Sequence, residues 1–137
     1  MAEERKKIAI VVSESSLDKA MMPMILATTG AALDAEVHVF FTFWGMNLLK
    51  KDYKPKLKGM MKPFTGMMIS KMKKHNIPTF EELRQQCKEL GVKIYACSTT
   101  MDLMDIKKED LFDKSIEVVG AAKFLQIALD ADVTLFI

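Results

Sequence analysis

Cysteine and histidine are scarce. Cys87, Cys97, His38 and His75 are the whole complement of a 137-residue chain. The two cysteines form neither a CxxC pair nor a disulfide framework. The histidines stand far from them and from each other in sequence, so no zinc-ligand spacing exists. No metal or other cofactor is expected. Long apolar runs are also missing. None reaches the ~18 residues that cross a bilayer, so no transmembrane segment is expected. Ile8–Val12 is too short for a signal-peptide core and lacks a small-residue cleavage pattern, which points to a cytoplasmic protein. A net charge of +2 is too small to imply a nucleic-acid partner. No glycine-rich phosphate fingerprint is present, so the Ser13–Ser16 turn does not by itself make a nucleotide site.

What is present is globular. Half of the residues are apolar, and the length suits one domain with a substantial core. No internal repeat is visible, and residues 1–137 read as a single α/β domain. The run KKIAIVVS (Lys6–Ser13) is a buried strand, continuous enough for a parallel sheet covered on both faces. Ser15 or Ser16 caps a helix from Leu17 to Leu33, whose stripe is Leu17, Met21, Met24, Thr28 and Ala31. Val37–Phe43 (VHVFFTF) is a second strand, ended by Trp44-Gly45. His38 at its start is read as structural. Thr79 caps a helix with Glu82 three residues on, and Phe80, Leu83, Cys87 and Leu90 form its inner face. Ile116–Val119 is a brief strand. Gly120–Asp130 is a helix with Phe124, Leu125, Ala128 and Leu129 inward, and Val133–Ile137 is the last strand. Strands alternating with helices predict a three-layer α/β/α sandwich with a mostly parallel five-stranded sheet.

Residues 48–76 are unlike the rest. This insert is rich in lysine and methionine, with Asp52 its only acid and Gly59, Pro63 and Gly66 as punctuation. A helical turn near Asn47–Lys51 and a short amphipathic helix near Met67–Lys74 are expected. Methionines on an adaptable surface suit a partner groove, and Lys71, Lys73 and Lys74 are candidates for docking an acidic partner. The Met-Met pairs also resemble thioether sites for cuprous ions, although filling a core or interface explains them more simply.

Val92–Cys97 reads as a strand, and Thr99 with Asp102 as the cap of the next helix. Cys97 then lies at the carboxyl end of a strand, where parallel α/β sheets bind ligands. A helix N-terminus, with positive charge from the lysine-rich insert, favours the thiolate there. Ser13 and Trp44 should reach the same edge, and Thr99 and Thr100 flank the thiol. Acyl transfer would need a base, and neither histidine lies in a motif that places it beside Cys97. Sulfur transfer needs only the thiolate.

The motifs KKIAIVVS, SLDKA, HVFFTFWGMNLLKK, TGMM, IPTFEELRQQCKELGVKIYACSTTMDLMDIKKEDL and DADVTLFI together resemble the DsrE/DsrF-like family, in its branch of DsrE-type sulfur carriers and peroxiredoxin-like sulfurtransferases. The AC-x-x-x-MD-x-M run is the most specific. The resemblance implies a homo-oligomer whose Cys97 accepts a sulfane sulfur or thiosulfonate. The sulfur would come from a TusA-type carrier or rhodanese-like donor and pass to a protein thiol. Such a protein would be a sulfurtransferase working through a cysteine persulfide or thiosulfonate. Some relatives lack a working cysteine, so the alternative is a non-catalytic assembly subunit of a sulfur-relay complex.

Overall fold

The computed structural model describes residues 5–137; the first four residues of the expected domain lie outside it. β1 (Lys7–Val12) leads into α1 (Leu17–Ala32), then β2 (Glu36–Phe41) and a 3₁₀ helix (Phe43–Leu49). The insert forms a second 3₁₀ helix (Gly59–Phe64) and α2 (Thr65–Lys74). α3 (Phe80–Glu89), β3 (Lys93–Cys97), α4 (Ser98–Leu103), β4 (Glu117–Val119), α5 (Ala121–Leu129) and β5 (Val133–Phe136) follow. The strand order is β4-β3-β2-β1-β5, and every pairing is parallel. This is the expected three-layer α/β sandwich.

The two sheet faces are covered unequally. Ile10, Val12, Val39, Phe41 and Ala96 point to the side of α1 and α3, where the larger core lies. Those helices meet closely, with Cys87 Sγ 3.8 Å from Met24 Sδ. Ala9, Phe40, Tyr95 and Cys97 point to the other face, against Phe124 of α5. One helix is about 10 Å across, whereas five strands span roughly 19 Å. α5 therefore leaves the β5 edge bare, and Phe136 is 78 % exposed.

That thin cover corrects the expected inner face of α5. Phe124 is buried and Ala128 half-buried, but Leu125 and Leu129 face outward. The helix is apolar on several sides, so periodicity alone cannot say which side meets the sheet. Leu90 is also exposed, because it is the C-cap of α3 and the chain is already turning there. β2 ends two residues earlier than expected, and Trp44-Gly45 belongs to the first 3₁₀ helix.

The base of the insert is clamped. Buried Arg84 donates to the carbonyls of Leu48 (2.9 Å) and Lys50 (3.1 Å), and its guanidinium lies 4.1 Å from the centroid of the Phe112 ring. Leu17 N–H, the first donor of α1, bonds Lys56 O at 2.8 Å. Ser16 is the N-cap, but its hydroxyl bonds Asp18 instead of the helix backbone.

Candidate functional site

Cys97 ends β3 and is itself the N-cap of α4, which corrects the cap expected at Thr99. A strand end already has the extended backbone that an N-cap needs, so the chain passes from sheet to helix without a spacer. Thr99 is exposed on the first turn, and Thr100 is buried. Cys97 as a residue is only 7 % exposed.

Two opposing influences act on that thiol. Burial raises its pKa. Hydrogen bonds from the hydroxyls of Thr100 and Thr42, and from the backbone N–H groups of Thr100 and Thr99, more than offset this, and the net pKa lies below the ordinary thiol value. Cys87 has no such donors, and burial pushes it up to about 12. Chemically, Cys97 supplies a thiolate more readily than an ordinary thiol, whereas Cys87 is an inert core thiol.

Thr42 escaped the sequence reading. The β2–β3 register pairs Phe41 with Ala96, so the next residues, Thr42 and Cys97, come together across the sheet edge. A register is not visible in either strand alone. Thr42 Oγ1 lies 3.3 Å from Thr100 Oγ1, and Thr100 Oγ1 also accepts the Phe43 N–H at 2.9 Å. Phe43 has φ +48°, a conformation a bulky L-residue keeps only when held. Trp44 follows it and is 62 % exposed. Gly45 is pressed onto β1, where a Cβ would run into the Val12 carbonyl.

Ser13 shares the carboxyl edge, but two strand positions from Cys97, roughly 10 Å. Its backbone N–H and its hydroxyl both bond Ile137 O. Between Trp44 and the Ser15-Ser16 turn opens a cleft of about 770 Å³. Tyr53 lies on its wall, with its hydroxyl donating to Ser15 O at 3.1 Å. Lys54, Lys56, Lys58 and Lys62 line it, opposed by Glu14 and Asp52.

Lys71, Lys73 and Lys74 stand in the last turn of α2. The inner side chains of that helix, Ile69 and Met72, pack on the α1–α3 core, across the sheet from Cys97. The lysine-rich insert was expected to supply the thiol's positive surround; hydroxyls and backbone N–H groups lower its pKa instead. His38 lies toward the opposite edge, buried, with Nδ1 2.7 Å from the Tyr95 hydroxyl.

Residues 4–62 and 54–136 match the DsrE/DsrF/DrsH-like family. The chain is 40 % identical to the sulfur carrier protein DsrE2 of Allochromatium vinosum, covering 98 % of this chain and 99 % of that one. It is 38 % identical to the uncharacterized protein YrkE of Bacillus subtilis, over the whole of both chains. Among solved structures, the ychN protein of E. coli superposes with a TM-score of 0.67 at 16 % identity, covering 96 % of this chain and 99 % of that one. MTH1491 of Methanobacterium thermoautotrophicum superposes with a TM-score of 0.58 at 15 % identity, covering 95 % and 98 %. At those identities the two structures speak for the fold alone. The sequence matches span nearly the whole chain, and on them it belongs to the DsrE/DsrF/DrsH-like family.

Proposed function

We propose that this protein is a sulfur carrier that accepts a sulfane sulfur or thiosulfonate on Cys97 and passes it to a protein thiol. The observation that carries this reading is the place of Cys97 at a strand–helix junction, next to the Thr42–Thr100 hydroxyl pair, where hydroxyls and backbone N–H groups lower its pKa. The DsrE2 likeness supports it. The thiolate attacks the outer sulfur of a donor persulfide. A new S–S bond forms at Cys97, the donor's S–S bond breaks, and the donor leaves as a thiolate. A donor bearing a thiosulfonate reacts in the same way, transferring sulfur and sulfonate together. No external oxidant is needed, because one S–S bond replaces another.

The donor in this reading is a TusA-type carrier or a rhodanese-like protein with an acidic face. It approaches over Trp44, with the lysines of the adjoining cleft providing attraction. The working form is a cytoplasmic homo-oligomer that covers the bare β5 edge and the exposed side of α1. A second reading, an assembly subunit whose cysteine is incidental, is favoured by the low exposure of the Cys97 residue. Mass spectrometry after incubation with thiosulfate, polysulfide or a loaded carrier separates the two. A sulfur adduct on Cys97 that is absent from Cys97→Ser is expected. An adduct only on Cys87, or none, would overturn the carrier reading.

A further inference from the structure

We propose that the segment Gly59–Lys74 is a docking surface for an anionic lipid bilayer, held at the headgroup level and not crossing it. Neither the second 3₁₀ helix nor α2 contains a fully buried residue. Met60, Met61, Phe64, Met67 and Met68 all stand in solvent, Met60 at 93 % and Met67 at 64 % exposure. Adjacent large apolar side chains at such exposure mark an interaction surface. The segment itself carries one sign of charge. Lysines flank them, among them Lys58, Lys62, Lys71 and Lys74, and no acid occurs between Asp52 and Glu81. The complementary partner is therefore both apolar and anionic.

A bilayer fits this better than a folded protein does. The side chains project outward, and a folded partner would need a matching hole for each one. Fluid acyl chains accept unbranched, flexible methionines without a preformed pocket, while lysines meet the headgroup charge. The segment is also presented firmly. Ile69 and Met72 pack inward on the main core, Leu57 N–H bonds Thr65 Oγ1 at 2.9 Å, and Lys56 O holds the start of α1. Among the described residues no helix is long and apolar enough to cross a membrane, consistent with contact at the surface. α2 packs on the α1–α3 side, across the sheet from Cys97, while Lys58 and Lys62 also line the cleft beside Trp44.

Co-sedimentation of the full chain with vesicles tests this, using phosphatidylcholine alone and phosphatidylcholine with phosphatidylglycerol, each at low and high salt. Binding is expected on the anionic vesicles only and should weaken as salt rises. Met60→Ser with Met67→Ser should weaken it roughly tenfold, with circular dichroism unchanged because both side chains are exposed. Equal binding to neutral vesicles would overturn the proposal, as would anionic binding that survives the double substitution. So would an absence of vesicle binding in which the double substitution instead abolishes self-association or capture of an acidic protein. Sulfur loading of Cys97, measured without lipid on the same variant, should be unchanged, so the carrier reading and the lipid reading stand or fall separately.

Discussion

Thr100 Oγ1 accepts the backbone N–H of Phe43 at 2.9 Å. This one contact ties the helix that follows Cys97 to the turn that carries Trp44. The same side chain helps to lower the Cys97 pKa, so thiol chemistry and aromatic rim depend on one residue.

Thr100→Val removes the hydroxyl with little change of shape. One hydrogen bond is worth about 1 kcal/mol, so alkylation of Cys97 at pH 7 should slow roughly fivefold. The pH profile of labelling should move upward, and Thr100→Ser should restore it. An unmoved profile in Thr100→Val would show that the hydroxyl does not act on the thiol.

The two thiols should differ sharply. Iodoacetamide at neutral pH is expected to label Cys97 in the native protein and Cys87 only on unfolding, because burial pushes Cys87 up to about 12. Cys87→Ser places a hydroxyl in an apolar site and should cost ~1–3 kcal/mol while leaving sulfur loading intact. Above pH 9 the unfolded Cys87 ionises and the folded one does not, so native stability should fall there. Peptide mapping that finds Cys87 labelled first would contradict this.

His38 sets an acid-side dependence. Burial, opposed by Glu36, holds its pKa below the ordinary 6.5. The unfolded chain takes up this proton first, so stability should be full above 6.5 and decline as pH falls from there toward the folded value. Urea midpoints between pH 8 and pH 5 should show the decline, and His38→Gln should flatten it. Glu36, lowered from 4.5, contributes only below that window.

The bare β5 edge should be an assembly surface. Light scattering at micromolar concentration is expected to show an oligomer, and Leu129→Gln with Phe136→Gln should shift it toward monomer. Leu129 is 85 % exposed, so the substitution costs the isolated fold little. A monomeric parent would remove the assembly.

Docking of an acidic donor should be carried by the cleft. Association should slow steeply as salt rises. Lys54→Gln, Lys56→Gln and Lys62→Gln together should slow it at low salt. Stopped-flow rates unchanged in that variant would exclude the cleft as the docking site.

The sequence by itself determined the order of strands and helices, the parallel α/β class, the place of Cys97 at a strand–helix junction, and the burial of Cys87 on the core stripe of α3. Each of these rests on neighbours a few residues apart: apolar runs, helical spacing, and caps such as Thr79, whose hydroxyl does take the Glu82 N–H. Only the tertiary structure decided what surrounds the thiol. Thr42 and Thr100 are 58 residues apart in the chain and meet because the β2–β3 register aligns their strand ends. The same holds for Arg84 under the insert, for the outward turn of Leu125 and Leu129, and for the layer to which Lys71, Lys73 and Lys74 belong. Periodicity says that a helix has an apolar side. Which side meets the sheet, and which residues face one another across two strands, depends on long-range packing that no local stretch contains.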